Sequence, residues 1–346
     1  MGGVNKWLTN VAAKRNISFW CSGRTAIEAA LDMIENKAEA VDKKVCVLPQ
    51  YTCDTVILPF QKHGWEIYYY MVREDLTIDA DSFTKILESI KPSVLLAHTY
   101  FGVDTLSDVR NLIKHYRKKE KLIYIEDVTQ SLFLTEAIVD EADYVVGSLR
   151  KWASIPDGGF CISKEEPMVS EYEIYESYIQ NKEKAQAQKR RYLLGEFNRK
   201  EDFLSLNSEA EKMLYEASKL YKMSETSIRK LENINVDYIE KKRNNNMQIL
   251  NKAVQSMAHI KPLVHFSEDS VPLYYPILVN RREKNQNILK NYDIYAPILW
   301  DIPEMIGELN DTVKEIYDGM IAIPCDHRYD ERDMKKIIAV IQYNLV

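Results

Sequence analysis

Two short apolar runs of this sequence each end in side chains that could take part in one kind of chemistry. Asp127 follows the run that begins at Ile123, and Ser148 and Lys151 follow the run that begins at Tyr144. If both runs are strands of a parallel sheet, their carboxyl ends face the same crevice. A lysine there can form a Schiff base with pyridoxal phosphate (PLP), and a carboxylate can keep the pyridine nitrogen of PLP protonated. The sequence therefore predicts Lys151 and Asp127 as the catalytic residues of a PLP site.

Lys151 is the sharper of these two predictions. It stands between Arg150 and Trp152. A neighbouring cation and an apolar wall lower the pKa of a lysine, as a Schiff-base amine requires. The alternative is a solvated lysine in a surface turn, and the lysine alone does not decide between the two.

Asp127 needs a partner if its strand is buried, because an unpaired buried charge is expensive. A pyridinium N–H would supply that partner, and so would an arginine in a purely structural salt bridge. Strand alternation places Glu126 on the opposite face of the strand from Asp127. Gln130, three residues after Asp127, is placed to reach a phenolate oxygen on the same ring.

A turn formed by Ser22 and Gly23 precedes a helical pattern near the start of the chain. Backbone N–H groups and the positive end of the helix dipole suit a phosphate group there. A simple helix cap is the alternative, and Thr25 and Glu28 have the spacing of a capping box. The candidate phosphate turn comprises Gly23, Arg24 and Thr25.

Three further residues are candidates with an open structural alternative. Tyr51 follows an apolar run and either stacks on a cofactor or packs in the core. His98 follows the apolar run at 94–97, and its place at a predicted strand end leaves a structural and a functional role equally open. Arg328 either meets a substrate carboxylate or caps, or forms a salt bridge with, the helix that follows it.

The composition argues against several classes of protein. The chain has 346 residues with 46 basic and 52 acidic side chains, and the net charge of −6 gives no reason to expect nucleic acid or an anionic membrane as a partner. The five cysteines make no CxxC pair, so reduced thiols are expected and a metal site is not. The N-terminus has no apolar signal core, and no apolar run approaches the ~20 residues that span a bilayer. These features predict a soluble, cytoplasmic protein.

Apolar runs alternate with amphipathic segments from about residue 20 to 165, which predicts an α/β fold with a mostly parallel sheet covered by helices on both faces. The predicted strands of this part are 45–48, 67–72, 94–97, 122–125, 144–146 and 160–162, and the predicted helices are 25–37, 53–63, 79–90 and 106–119. The polar stretch from about 165 to 255 predicts long helices, including 170–191 and 225–256. Short apolar runs at 263–266, 273–279, 295–299 and 320–323, with a last helical pattern at 330–344, predict a smaller α/β domain.

Five motifs resemble, in order, those of the DegT/StrS family of sugar aminotransferases. The phosphate turn of that family resembles Ser22-Gly-Arg-Thr-Ala-Ile27, and its second strand end resembles Leu48-Pro-Gln-Tyr-Thr52. Its histidine loop resembles His98-Thr-Tyr-Phe-Gly102, and its acidic motif is similar to Glu126-Asp-Val-Thr-Gln130. Its lysine loop resembles Lys151 followed by Pro156-Asp-Gly-Gly159. Together the five are far more specific than any one of them.

This resemblance implies the fold of type I PLP enzymes. It implies a large PLP-binding domain at 1–235, with a helical segment at about 165–235, and a small C-terminal α/β domain at 236–346. It also implies a homodimer with its sites at the subunit interface. The segment Tyr221-Lys-Met-Ser-Glu225 looks like the family segment that contributes from that interface, with Lys222 in place of its arginine.

The resemblance also implies roles around the cofactor. Lys151 would be the Schiff-base lysine, Asp127 would meet the pyridine nitrogen, and Gln130 would lie near the ring oxygen. The groups that would hold the phosphate, partly through backbone N–H groups, are Ser148, Arg24 and Thr25. Cys53 stands where the family has a ring-stacking aromatic residue, so Tyr51 is the remaining candidate for that contact.

The predicted function is that of a PLP-dependent aminotransferase. It would move an amino group from a donor such as glutamate to a keto acceptor on a nucleotide-linked sugar. A PLP-dependent dehydratase, lyase or synthase is the first alternative, because the same lysine and aspartate serve all of these reactions. A sensor or scaffold without catalytic activity on the same fold is the second alternative.

Overall fold

A computed structural model describes residues 3–12, 15–37, 41, 43–166, 169–196 and 198–345. The strands are β1 (Asn16–Trp20), β2 (Val45–Pro49), β3 (Glu66–Tyr70), β4 (Val94–His98), β5 (Ile123–Asp127), β6 (Tyr144–Ser148), β7 (Gly159–Ser163), β8 (Lys261–Pro262), β9 (Tyr275–Leu278) and β10 (Met320–Ile323). The helices are α1 (Val4–Ala12), α2 (Gly23–Glu35), α3 (Asp54–Lys62), α4 (Ala80–Ile90), α5 (Arg110–Lys119), α6 (Thr135–Ile138), α7 (Glu176–Leu193), α8 (Lys200–Tyr215), α9 (Glu225–Glu232), α10 (Val236–Val254), α11 (Arg282–Asn291), α12 (Asp311–Gly319) and α13 (Glu331–Asn344).

Seven strands form one sheet with the order β1-β7-β6-β5-β4-β2-β3. The pairs β2–β3, β2–β4 and β4–β5 are parallel, whereas β1 and β7 are antiparallel. Every residue of β4, β6 and β7 is buried. Strands covered on both faces read as nearly continuous apolar runs, which is why the sequence revealed them. The mostly parallel α/β sheet flanked by helices is therefore confirmed.

The structure differs from the sequence-based expectations in four places. The helix predicted at 225–256 is two helices, α9 and α10, because Asn235 caps the second one and accepts a hydrogen bond from the backbone N–H of Tyr238 at 3.0 Å. The apolar run at 295–299 is not a strand, and the run at 263–266 follows β8 without joining it. Strand β1 precedes the predicted alternation. An apolar run becomes a strand only where a neighbouring strand offers backbone partners.

The chain divides into two compact units. The first comprises residues 1–38 and 146–234, and the second comprises residues 39–145 and 235–346, so that the division falls within β6. The domain boundary predicted at residue 235 lies next to one of these divisions. The assignment of 236–346 to a separate small domain stays a prediction.

Each unit has a core of its own. In the first unit, Tyr178 and Ile179 of α7 pack with Ala210 and Leu214 of α8. In the second unit, a three-stranded sheet with the order β10-β9-β8 contributes to a core that also includes residues of α10 and α13. None of the described helices combines the length and the apolar sequence needed to cross a bilayer.

Candidate functional site

Ser22 caps the N-terminus of α2 in the first unit. Its hydroxyl oxygen accepts a hydrogen bond from the backbone N–H of Thr25 at 3.1 Å and lies 2.9 Å from the Thr25 hydroxyl. The predicted capping-box spacing of Thr25 and Glu28 is therefore not the cap, because the helix begins at Gly23. The first turn of a helix directs further N–H groups outward, and its dipole favours an anion. The predicted phosphate turn thus has the backbone of an anion site.

Two glycines allow the main chain to approach this turn closely. A Cβ atom on Gly23 would lie 3.1 Å from the Cβ of Ser148, and one on Gly159 would lie 2.2 Å from the backbone oxygen of Ser22. A side chain at Gly159 would therefore force β7 away from the turn. Within the first unit, the start of α2 and the end of β6 lie side by side because these positions lack side chains.

Arg24 adds a cation to the same turn. The residue is buried, and its guanidinium carbon lies 5.7 Å from the centroid of the Tyr215 ring. Burial lowers the pKa of Arg24, since the charged form is partly removed from water. An anion next to the guanidinium would compensate for that lost hydration.

Lys151 ends a short 3-10 helix, Leu149–Lys151, that directly follows β6. The backbone N–H of Trp152 donates to the carbonyl of Leu149 at 3.0 Å and closes this turn. Lys151 is exposed, whereas Trp152 is buried. The influence of Trp152 and Arg150 on the Lys151 amine stays a prediction.

The segment around Lys222 pairs with the end of β1 in the same chain. The backbone N–H of Cys21 donates to the carbonyl of Tyr221 at 3.0 Å, and that of Met223 donates to the carbonyl of Phe19 at 3.2 Å. Lys222 lies between these two bonds and is half-buried. The segment thus has a backbone role within the first unit, and its contribution across a subunit interface stays a prediction.

Strands β4 and β5 place His98 and Asp127 side by side in the second unit. Both residues are buried. One carboxylate oxygen of Asp127 lies 3.5 Å from His98 Nδ1, and the other accepts a hydrogen bond from the backbone N–H of Thr129 at 2.8 Å. Among the described residues, His98 is the only basic side chain within ion-pair distance of Asp127. Within that part of the chain, no arginine provides the structural salt bridge that the sequence leaves open.

His98 connects Asp127 to Thr52 at the end of β2. Its Nε2 lies 2.8 Å from the Thr52 hydroxyl. Burial lowers the pKa of His98, and the Asp127 carboxylate only partly opposes this change, so the ring is neutral at about pH 7. A neutral imidazole has one N–H and one acceptor nitrogen. With the N–H directed toward Asp127, the Thr52 hydroxyl donates to Nε2.

Glu126 has entirely different surroundings from Asp127. Its buried carboxylate accepts hydrogen bonds from the two terminal nitrogens of Arg110 at 3.0 and 3.1 Å and from the Tyr124 hydroxyl at 2.7 Å. Burial raises the pKa of Glu126, although Arg110 and Tyr124 oppose the change. The two neighbouring carboxylates therefore face opposite sides of the strand, as predicted from strand alternation.

Gln130 is held against the loop that follows β4. Its side-chain oxygen accepts a hydrogen bond from the backbone N–H of Phe101 at 3.3 Å. The hydroxyl of Ser131 accepts from the N–H of Gly102 at 2.8 Å and donates to the carbonyl of Thr99 at 2.9 Å. These bonds order the loop, and they leave the amide NH₂ of Gln130 as the group that a phenolate oxygen would meet.

Tyr51 lies in a cluster of aromatic rings in the second unit. Its ring centroid lies 5.7, 4.9 and 4.8 Å from those of Tyr100, Trp300 and Tyr317. These contacts account for Tyr51 by packing, and its stacking on a cofactor stays a prediction. Trp300 is only half-buried, and its ring centroid lies 6.1 Å from that of His98.

Sequence reasoning missed Trp300 and Tyr317. The only signal for Trp300 is an aromatic residue directly after the apolar run at 295–299. Tyr317 had no signal, because its role depends on the fold. Its hydroxyl accepts from the backbone N–H of Thr52 at 2.8 Å and donates to the carbonyl of Thr52 at 2.6 Å. Tyr317 thereby fixes the residue that contacts His98.

Cys53 stands at the N-cap position of α3, and its Sγ lies 2.9 Å from the Thr55 hydroxyl. Its predicted place at the cofactor stays a prediction. All five cysteines are free thiols. Burial raises the pKa of the Cys21 thiol to about 11, so that this thiol is protonated. The described residues contain no cluster of three side chains arranged to hold a metal ion.

Arg328 forms a salt bridge with Asp326 in its own loop. Two nitrogens of the guanidinium lie 2.7 Å from the two carboxylate oxygens. The following helix, α13, is capped by Asp330 and Asp333 in a capping box. The predicted cap or salt bridge of Arg328 with the following helix is therefore wrong, because the guanidinium pairs with Asp326 in the preceding loop. A contact with a substrate carboxylate stays a prediction.

No model of a known protein family matches this sequence. A search of curated proteins also finds no match.

Solved structures of aminotransferases share the fold. The chain aligns with a DegT-DnrJ-EryC1-StrS aminotransferase from Brucella abortus at a TM-score of 0.67 and 13% identity, over 97% of this chain and 87% of that one. It aligns with the sugar aminotransferase CalS13 from Micromonospora echinospora at a TM-score of 0.62 and 14% identity, over 95% and 87% of the two chains. It aligns with NtdA from Bacillus subtilis, solved with its cofactor PMP bound, at a TM-score of 0.65 and 16% identity, over 97% and 74%.

These alignments extend over nearly the whole chain, well beyond the part that carries the five motifs. The sequence identities are low, so the likeness concerns the backbone. The chain has the fold of the aminotransferases to which it is similar, as the sequence predicts.

Proposed function

We propose that this chain is a PLP-dependent aminotransferase of the DegT/StrS type. The observation that carries the proposal is the buried carboxylate of Asp127, for which the neutral His98 is the only basic side chain within ion-pair distance among the described residues. A buried carboxylate without a cationic partner is expensive, and a protonated pyridine nitrogen is a cation that would offset this cost. The shared fold with solved aminotransferases supports the assignment.

The residues of the first unit fit the other two attachment points of PLP. The start of α2, with Gly23, Arg24 and Thr25, is suited to the phosphate, and Ser148 lies beside Gly23. Lys151 supplies an exposed primary amine for the Schiff base. When bound, PLP supplies an electron sink for the charge that develops at the substrate carbon.

The protein groups then divide the remaining tasks. Nζ of Lys151 would hold the cofactor and, as general base and acid, would move a proton at the substrate α-carbon. Asp127 would keep the pyridine nitrogen protonated. His98 would hold the Asp127 carboxylate in place and, being neutral, would leave its negative charge undiminished. Gln130 would donate its amide N–H to the ring oxygen.

The proposal extends to substrates and assembly. Glutamate is the proposed amino donor, and a keto group on a nucleotide-linked sugar is the proposed acceptor. The fold of a sugar aminotransferase supports that acceptor class. We also propose a homodimer with interface sites, on the strength of the family resemblance, and a location in the cytoplasm, on the strength of the reduced cysteines that the sequence predicts.

The absorption spectrum of the purified protein with PLP, before and after adding glutamate, tests the proposed function. A visible Schiff-base band that glutamate converts to the pyridoxamine form supports the transaminase half-reaction. A band indifferent to glutamate contradicts glutamate as donor and favours a dehydratase, lyase or synthase. The absence of any band, with no PLP retained, overturns the enzyme assignment in favour of a scaffold. Light scattering of the same sample checks the dimer.

A further inference from the structure

The loop from Lys151 to Gly159 is anchored by side chains from later helices of the first unit. Arg150, directly before the lysine, is the first anchor. Its terminal nitrogen donates to the hydroxyl of Tyr178 at 2.7 Å. That hydroxyl in turn donates to the carbonyl of Pro156 at 3.0 Å. One tyrosine therefore connects the residue before Lys151 to a residue in the far half of the same loop.

Glu211 of α8 adds a charge to this connection. Its carboxylate lies 2.9 Å from the same nitrogen of Arg150 and 2.9 Å from Nζ of Lys182 on α7. The Arg150 side chain is 16% exposed and that of Glu211 is 51% exposed. Burial alone would lower the pKa of Arg150, but Tyr178 and Glu211 raise it above its ordinary value. Arg150 is thus a permanently charged, partly buried group whose position its two partners determine.

Asp157 anchors the far end of the loop. It is fully buried, and it accepts hydrogen bonds from the backbone N–H of Ser224 at 2.7 Å and from the Ser224 hydroxyl at 2.6 Å. The hydroxyl of Ser227 also donates to it. The backbone N–H of Gly158 donates to the carbonyl of Cys21 at 2.8 Å. With the Tyr178 connection, the loop is held before Lys151 and again at three successive residues from Pro156 to Gly158.

We propose that Tyr178 and Glu211 are positioning residues for Lys151: through Arg150 and Pro156 they hold the lysine loop so that the amine of Lys151 is presented in one place. This inference rests on the proposed function for the role of the amine. The sequence signal was absent, because the partners of Arg150 lie 28 and 61 residues further along the chain.

The geometry of these contacts supports a role in positioning Lys151 and not only a contribution to stability. A hydroxyl that accepts from Arg150 and donates to Pro156 fixes the distance between the two ends of a loop that carries Lys151. Elsewhere along the same helices, charged pairs such as Lys212 with Glu216 are exposed. Such exposed pairs contribute little, and they provide matched controls.

The test uses Tyr178→Phe and Glu211→Gln in the full chain, with Tyr175→Phe and Glu216→Gln as controls. Among the described residues, the Tyr175 hydroxyl has one hydrogen-bond partner, the carbonyl of Met213 at 3.4 Å. Hydrogen–deuterium exchange of the protein without cofactor reports on loop residues 151–159. Borohydride reduction with PLP, followed by peptide mass spectrometry, reports how much PLP is trapped on Lys151.

We expect Tyr178→Phe to speed exchange in the loop about 10-fold and to reduce trapping at limiting PLP by a similar factor, since one buried hydrogen-bond relay is lost. Glu211→Gln acts in the same direction with a smaller effect, and because its side chain is half exposed this variant tests the proposal even if Tyr178→Phe folds poorly. The controls leave both measurements unchanged.

Three outcomes decide the matter. If hydrogen–deuterium exchange in the loop stays at the wild-type rate in both variants, Tyr178 and Glu211 do not hold the loop and the proposal is overturned. Faster exchange with unchanged trapping shows that the contacts stabilise the loop without positioning Lys151, and this also overturns the proposal. A wild-type protein that traps no PLP refutes the proposed function instead. The exchange data then still decide whether Tyr178 and Glu211 hold the loop.

Discussion

The lysine loop of the first unit and the Asp127 strand end of the second unit are held in opposite ways. The lysine loop is fixed by charged and hydroxyl side chains: Arg150 pairs with Glu211, and Asp157 is surrounded by serines. Asp127 is fixed mainly by the backbone register of β4 and β5, with the neutral ring of His98 beside it.

The two segments differ in whether their charged side chains have a partner of opposite charge within the protein. Near the lysine, the Arg150 charge already has a carboxylate partner in Glu211. At the strand end, Asp127 has only a neutral imidazole and a backbone N–H among the described residues. A segment whose charges are satisfied internally is a support, whereas a buried charge left for a ligand is a binding group.

Replacing Lys151 removes the reactive amine of the lysine loop and leaves the Asp127 strand end unchanged. Lys151→Ala should lower turnover by at least about 10³-fold, because it removes both the nucleophile and the proton-transfer base. PLP should still bind through the phosphate turn and Asp127. Steady-state turnover and retention of PLP after gel filtration measure the two effects. Normal turnover in this variant would rule out the mechanism.

The adjacent carboxylates Glu126 and Asp127 allow the comparison to be made on one strand. Asp127→Asn should lower kcat by about 10²-fold with little loss of stability, since only the charge at the cofactor ring is removed. Glu126→Gln should instead cost about 1–3 kcal/mol of unfolding free energy through Arg110, with kcat nearly unchanged. Turnover and urea unfolding of the two variants check this. Equal effects on turnover would contradict the division of roles.

His98 tests whether Asp127 depends on its neighbour. His98→Phe keeps a ring of similar size but removes the nitrogen near Asp127 and the acceptor for Thr52. A fall in kcat of about 10-fold is expected, with a smaller fall for Thr52→Val, because one positioning contact is lost in each case. Turnover at saturating donor is the measurement. Wild-type turnover in His98→Phe would remove the positioning role.

The smallest expected effect is the change with pH in the stability that the Glu211 carboxylate contributes. Burial alone would raise the Glu211 pKa, but Arg150 and Lys182 lower it to about 2. A carboxyl whose folded pKa lies below its unfolded value of about 4.3 stabilises the fold above that pH and loses the contribution as the pH falls toward 2.

Because half of the Glu211 side chain is exposed, this contribution should stay below about 1 kcal/mol. The unfolding free energies of the wild type and Glu211→Gln should therefore differ most at about pH 6 and by less at about pH 3, since the contribution is lost between about pH 4.3 and about pH 2. Urea titrations at the two pH values make the comparison. A difference that grows as the pH falls would contradict the assigned direction of the pKa change.

Much of the fold could be predicted because its central strands are buried on both faces and their apolar runs are continuous. Strand β5 ends at Asp127 and β6 ends at Ser148, each two residues after its predicted run. Prediction failed where a partner decides the outcome. Strand β1 exists because β7 pairs with it, while the equally apolar run at 295–299 has no such pairing.

The site divides along the same line. Gly23 and Thr25 could be predicted because a helix start has a local signature in the sequence. Tyr51 could not be assigned, since packing against Trp300 and stacking on a ligand need the same residue type at the same position. Trp300 could not be predicted, because an aromatic residue after the apolar run at 295–299 gives no indication that its ring will lie near His98.

The sequence by itself determined which residue types stand at the strand ends and helix starts, because the periods of strands and helices are local properties of the chain. The tertiary structure alone decided which charges are already satisfied. Glu126 finds Arg110 16 residues away, Arg150 finds Glu211 61 residues away, and His98 finds Thr52 46 residues away. Such partners meet only when the chain folds, and they distinguish Glu126, which supports the fold, from Asp127, which we propose as a ligand-binding group.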